Sequence, residues 1–117
     1  MSYQPGIHLI ATLQTDINPP LCHYQAFREQ VEQLIAQHRL QKLGEVYHNF
    51  SPAGFTAVVC LSESHIAIHT WPEDGRINLD IYLSNFQRNN DGAVYDIYKT
   101  LQQHFNAAVV NEQIITR

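Results

Sequence analysis

An α/β two-layer sandwich, with a largely antiparallel sheet and two helices on one face, is the fold this chain predicts. Three observations carry the prediction. Apolar residues recur at every second position in some stretches and at helical spacing in others. Those stretches run strand, helix, four strands, helix, strand, which suits one sheet layered against helices. With 117 residues, 44% of them hydrophobic, the chain fits a single domain with a modest core.

Ile7 to Leu13 places apolar side chains at Ile7, Leu9, Ala11 and Leu13, the mark of a half-buried strand. Asn18-Pro19-Pro20 breaks the chain, because neither proline can donate to a ladder or continue a helix. From about Cys22 to His38 the period is helical. Phe27, Val31, Leu34 and Ile35 share one face, while Arg28 and Glu32 pair at i, i+4 on the other. Gly44 marks the return to extended structure, and Val46 to Phe50 reads as a short strand. Beyond the Ser51-Pro52-Ala53-Gly54 turn, Phe55 to Leu61 is the near-continuous apolar run of a central strand. His65 to Trp71 follows, closed by the turn Pro72-Glu73-Asp74-Gly75. Ile77 to Ser84 alternates most cleanly, with Ile77, Leu79, Ile81 and Leu83 opposite Asn78, Asp80, Tyr82 and Ser84. A second helix spans about Asp91 to Phe105, burying Val94, Ile97, Tyr98, Leu101 and Phe105, and Ala107 to Ile115 is the last strand. The polar sheet face is then the one the helices leave open, a natural place for a second subunit or a ligand.

Composition narrows the function. A net charge of -4 with seven Lys and Arg leaves no basic stripe, so nucleic acid is not expected as a partner. Cys22 and Cys60 stand far apart with no C-x-x-C, which supports neither a disulfide framework nor a zinc site. The first six residues lack the features of a signal peptide, and no apolar run approaches the length of a membrane span. A cytoplasmic protein with no membrane partner is expected.

Reactive side chains concentrate between Leu61 and Glu73. His65 and His69 have the H-x-x-x-H spacing of a helical metal pair, but Ile66-Ala67-Ile68 reads as strand. Four strand residues span about 13 Å, too far for two ligands of one ion at bonds of about 2 Å. No metal is expected. Ser64 with His69 as a hydrolytic pair lacks the G-x-S-x-G elbow and the chain length of that hydrolase fold. A serine-rich turn with surface histidines of no chemical role is the bland alternative. Self-processing is the fourth reading, and it rests on a resemblance.

The stretch Gly54 to Glu73, with its core Ser62-Glu63-Ser64-His65-Ile66-Ala67-Ile68-His69-Thr70-Trp71-Pro72-Glu73, resembles the processing segment of the small prokaryotic S-adenosylmethionine decarboxylases. The similarity extends through Gly6-Ile7-His8-Leu9-Ile10-Ala11 and Tyr47-His48-Asn49-Phe50, and from Asp80 into the second helix. The resemblance implies that the chain cuts itself between Glu63 and Ser64 and turns Ser64 into a pyruvoyl group. That group forms a Schiff base with the substrate amine and accepts electrons as carbon dioxide leaves. It also implies His69 as the base for the α-proton, Thr56 as the hydroxyl assisting at the scissile carbonyl, Phe50 stacking on adenine and Glu73 binding ribose. A homodimer with residues of both subunits at the site, and a role in spermidine biosynthesis, are implied as well. Alternation puts Ser64 and His69, five residues apart, on opposite strand faces, so Ser64 is expected in a turn before the strand and out of the ladder.

Two departures from the family pattern bear on substrate and activity. The family's catalytic cysteine, in a T-C-G step, is replaced here within Leu83-Ser84-Asn85. A thiol has a pKa near 8.5, and the alcohol of Ser84 is a far weaker proton donor. Asp74-Gly75-Arg76-Ile77-Asn78 stands where a Y-G-Y-A-A-like turn is usual, and Arg76 would repel a sulfonium substrate. Besides S-adenosylmethionine as the small-molecule substrate, these departures raise two alternatives. One is a pyruvoyl-dependent decarboxylase of a basic amino acid such as ornithine or arginine; the other is an unprocessed, non-catalytic homologue.

Overall fold

The computed structural model describes residues 3–117. Six strands, β1 (Ile7–Gln14), β2 (Lys42–Asn49), β3 (Phe55–Leu61), β4 (Ser64–Trp71), β5 (Arg76–Leu83) and β6 (Ala108–Thr116), form one sheet. Their spatial order is β2-β3-β4-β5-β1-β6, and every neighbouring pair is antiparallel. The helices are α1 (Pro19–Cys22), α2 (Gln25–Gln37) and α3 (Asp91–Phe105). The two-layer architecture agrees with the sequence, with three helices in place of two.

The extra helix is the single turn α1, which opens on the two prolines read above as a break. A proline lacks the N–H that a first helical turn leaves unpaired in any case, and its fixed φ suits that position. Pro19 and Pro20 therefore start a helix, and the long helix begins only at Gln25. β2 starts earlier than expected and carries Gly44 inside it. The Arg28–Glu32 pair does not form. Arg28 reaches Glu45 on β2 at 2.7 Å and Glu32 accepts from Lys42 at 2.6 Å, because β2 brings opposite charges alongside the helix.

The core lies between the helices and one sheet face. Leu9, Leu13, Ile66, Ile68, Ile77, Leu79 and Ile81 are fully buried from the sheet, against Phe27, Val31, Leu101 and Phe105 from the helices. Phe27 packs on Phe55 and Phe105 with ring centroids 5.5 and 6.1 Å apart. Buried Thr70 is satisfied within this layer, donating to the Leu21 carbonyl at 2.7 Å and accepting from the Phe55 N–H at 2.9 Å. Asn18 donates to the Pro72 carbonyl at 2.9 Å, and the Gly54 N–H to the Cys22 carbonyl at 3.0 Å. The helix missing from the sequence reading thus braces both loops at one end of β3 and β4. Among the described residues no helix is long and apolar enough to cross a membrane.

Candidate active site

β4 carries both Ser64 and His69, and the sheet register shows what surrounds each. Ser64 opens β4, paired with Leu61 across the hairpin and with Leu83 on β5. It is therefore inside the ladder and not in a turn before it. Its φ is +143°, a region that is essentially glycine's own, and holding a serine there costs about 1–3 kcal/mol. Side chains alternate faces only along β-region backbone, so alternation does not govern Ser64.

Pairing Ser64 with Leu83 sets Ser84 opposite Glu63. The Ser84 N–H donates to the Glu63 carbonyl oxygen at 2.7 Å. A donor on that oxygen draws electrons from the carbonyl carbon and is already in place for negative charge to develop there. Gly6 permits this approach. A Cβ on Gly6 would lie 2.1 Å from the Leu83 oxygen and 2.9 Å from the Ser84 Cα, so only glycine lets the start of the chain lie flat against this end of β5.

At the other end of β4, His69 pairs with Thr56 on β3 and Asn78 on β5. Thr56 Oγ and His69 Nδ1 are 2.6 Å apart, which fixes the ring, and among the described residues His69 Nε2 has no hydrogen-bond partner. A cavity of about 310 Å³ opens there, lined by Phe50, Thr56, His69, Trp71 and Glu73 among others. It is the size of a small-molecule pocket. The structure thus brings Phe50, Thr56, His69 and Glu73 together. Arg76 lines a separate, more polar cavity of about 450 Å³ with Asp74 and Asn78, and Trp71 belongs to both.

Ser64, Glu63 and Ser84 are not brought to that pocket. Ser64 and His69 are five residue steps apart along the strand, roughly 16 Å. Within one chain they cannot form a hydrolytic pair, and His69 cannot reach the α-proton of Ser64. The residues fall into two half-sites, one at each end of β4.

One cluster escaped the sequence reading. On the open face His8 Nε2 lies 2.6 Å from Asp80 Oδ1, and His65 Nε2 lies 3.1 Å from the same oxygen. Arg117 donates to His8 Nδ1 at 3.2 Å, so that nitrogen is the acceptor and Nε2 carries the proton given to Asp80. The three donor atoms lie within 4.8 Å of one another, a spacing a cation could bridge, but the guanidinium on His8 makes a hydrogen-bonded cluster the better account. Beside it, desolvation first, then the neighbouring Tyr3, holds the Tyr82 hydroxyl above its ordinary pKa. His65 belongs to this cluster, and among the described residues it makes no hydrogen bond to His69. Only the β1–β5–β4 register, joining residues 15 to 72 positions apart, could reveal it.

An enzyme that makes a reactive carbonyl from its own serine needs a strained residue behind a polarised acyl bond. This two-layer sheet carries both at Ser64 and the Glu63 carbonyl, as a small α/β proenzyme requires. The family model described as S-adenosylmethionine decarboxylase matches residues 7–117. The S-adenosylmethionine decarboxylase proenzyme of Archaeoglobus fulgidus is 42% identical over 77 residues, 66% of this chain and 69% of that one. The proenzyme of Picrophilus torridus is 34% identical over 102 residues, 87% of this chain and 78% of that one. The crystal structure of the adenosylmethionine decarboxylase of Aquifex aeolicus superposes with a TM-score of 0.79 at 27% identity, covering 99% of this chain and 91% of that one. The chain belongs to the S-adenosylmethionine decarboxylase family, pyruvoyl-dependent carboxy-lyases that are made as proenzymes and serve spermidine biosynthesis.

Proposed function

We propose that this chain cuts itself between Glu63 and Ser64 and acts as a cytoplasmic homodimer that decarboxylates S-adenosylmethionine. The observation that carries the reading is Ser64 at φ +143° behind a carbonyl held at 2.7 Å by the Ser84 N–H. Ser64 Oγ adds to the Glu63 carbonyl carbon, the C–N bond breaks with the nitrogen taking up the proton that the hydroxyl gives up, and an ester with a free amine results. Loss of the Ser64 α-proton then expels residue 63 as a carboxylate carrying the serine oxygen. The dehydroalanine left at residue 64 takes up water and loses ammonia, which leaves the pyruvoyl group. Residues 1–63 and 64–117 become two chains of one domain.

The half-sites explain why two copies are needed. In a two-fold dimer each contact occurs twice, so the Ser64 end of β4 on one subunit can meet the partner subunit's His69 end and the reverse. The open face suits such a partner, since Val46 and Val58 lie paired across β2 and β3, 66% and 46% exposed. Each site then holds Glu63, Ser64 and Ser84 from one chain and Phe50, Thr56, His69 and Glu73 from the other. The pyruvoyl group supplies the electron sink for carbon dioxide loss. Phe50, 49% exposed in one chain, offers its ring to adenine, and the Glu73 carboxylate accepts from ribose hydroxyls. His69, its ring set by Thr56, takes the α-proton during the cut. Arg76 pairs with Trp71 at the edge of the His69 cavity but does not line it, so its charge acts on a sulfonium there from outside the cavity wall. Intact mass of the purified protein tests the cut. Two fragments with the smaller N-terminally blocked are expected, and a single unbroken chain after prolonged incubation overturns the reading.

The Ser84 backbone gives the cysteine replacement a specific meaning. Polarising the scissile carbonyl needs an N–H and no thiol, whereas returning a proton after decarboxylation needs an acidic side chain. Ser84→Ala is therefore expected to cut itself at nearly the parental rate, and Ser84→Pro, which lacks the N–H, to stay uncut while folded. Ser84→Cys is expected to raise kcat of the processed enzyme about tenfold or more without changing the rate of the cut. A gel time course and carbon dioxide release separate the two effects. Gly6→Ala tests the same contact from outside the turn. Its methyl overlaps backbone that cannot yield locally, so self-cleavage is expected to slow about tenfold, as a cut fraction against time will show.

A further inference from the structure

The turn carrying the scissile bond is tied to two other loops by one side chain. Arg88, between β5 and α3, donates to the Arg39 carbonyl at 2.7 Å and lies 3.3 Å from Glu63 Oε2. The other oxygen of that carboxylate accepts from the Ser62 hydroxyl at 2.8 Å and from the Gln41 N–H at 3.3 Å. The Ser62 N–H in turn donates to the Gln41 carbonyl at 2.8 Å. Arg39 and Gln87 both sit at positive φ, so each loop turns sharply to arrive here. Among the described residues Arg88 is the one cation paired with Glu63.

We infer that Arg88 is a positioning residue that holds Glu63 for the cut and afterwards retains the new chain end. The inference rests on the proposed cut at Glu63–Ser64. Before the cut, the Glu63 carbonyl must stay on the Ser84 N–H while Ser64 Oγ adds. Glu63 is joined to the turn by its backbone and to the neighbouring loops by its carboxylate, so Arg88 and Gln41 fix the acyl group from its side chain. After the cut, residue 63 ends in a second carboxylate. Two negative charges on one residue repel each other, and a guanidinium between the loops offsets that repulsion. Arg88 therefore binds the cut state more strongly than the uncut state, and keeps residue 63 beside residue 64 instead of letting the end peel away.

The test compares self-cleavage of the parent, Arg88→Met and Arg88→Lys by gel time course. Arg88→Met is expected to slow the cut about three- to tenfold and Arg88→Lys to recover most of the rate, because charge is what the site needs. Raising salt is expected to slow the parent toward the Met variant while leaving the Met variant unchanged. For retention, Arg88→Met is expected to lower the urea midpoint of the cut protein by more than it lowers that of a Ser64→Ala protein, which cannot be cut. Equal rates in parent and Arg88→Met, or equal midpoint losses in cut and uncut backgrounds, overturn the inference. Should Arg88→Met fail to fold, the salt dependence of the parent and the rate of Arg88→Lys decide it. A parent that never cuts refutes the cleavage reading instead, and the two failures are told apart by that one lane.

Discussion

Ser64→Ala is expected to leave one uncut 117-residue chain with no decarboxylase activity, and Ser64→Gly to do the same while gaining stability. Both changes remove the hydroxyl, so neither can form the ester, and the loss is complete rather than graded. They differ in backbone. At φ +143° alanine keeps the steric conflict that serine has, whereas glycine has no Cβ to suffer it. Relief of about 1–3 kcal/mol, less the extra chain entropy glycine loses on folding, leaves Ser64→Gly ahead of Ser64→Ala by about 1 kcal/mol. Urea denaturation of the two uncut proteins measures this directly. Equal midpoints would show that Ser64 is not strained, and the cut would then depend on carbonyl polarisation alone.

Mixing two inactive variants restores self-cleavage if the sites are shared. Ser64→Ala lacks the nucleophile and His69→Ala lacks the base, and each homodimer is dead at both sites. A dimer of one chain of each kind has one site with Ser64 from the His69→Ala chain and the Ser64→Ala subunit's His69. Its other site lacks both groups. Under random pairing about half of the His69→Ala chains are cut and none of the Ser64→Ala chains. Co-expression with two different tags and a mass spectrum reads the outcome chain by chain. Absence of any cut chain rules out sites built across the interface. Cutting by His69→Ala alone removes His69 from the role of base.

The Ser84 position shows how far a motif comparison reaches. Seen as a side chain, the exchange of cysteine for serine raises the prospect of an inert relative. Seen in the sheet, the same residue offers its main chain to the Glu63 carbonyl, a contact no side-chain exchange except proline removes. Arg76 is a similar case: near the motif in sequence, it pairs with Trp71 but is not among the residues lining the cavity of Phe50 and His69.

Local order along the chain already set much of this protein. Alternation over Ile77 to Ser84, the stripe Val94-Ile97-Tyr98-Leu101-Phe105 and the run Phe55 to Leu61 each name a buried face, because burial at period two or 3.6 is a property of neighbouring residues. The candidate segment from Glu63 to His69 was legible for the same reason, as a contiguous stretch. What depends on residues far apart had to wait for the fold. The strand register decides that Ser84 meets Glu63, that Thr56 meets His69, and that His8 and His65 share Asp80. Ser64 takes its positive φ where β4 begins, paired with Leu61 on β3 and Leu83 on β5, and the division of the site follows from the length of β4. A one-dimensional pattern encodes which face is buried, but not which partner lies across a gap that sequence distance does not measure.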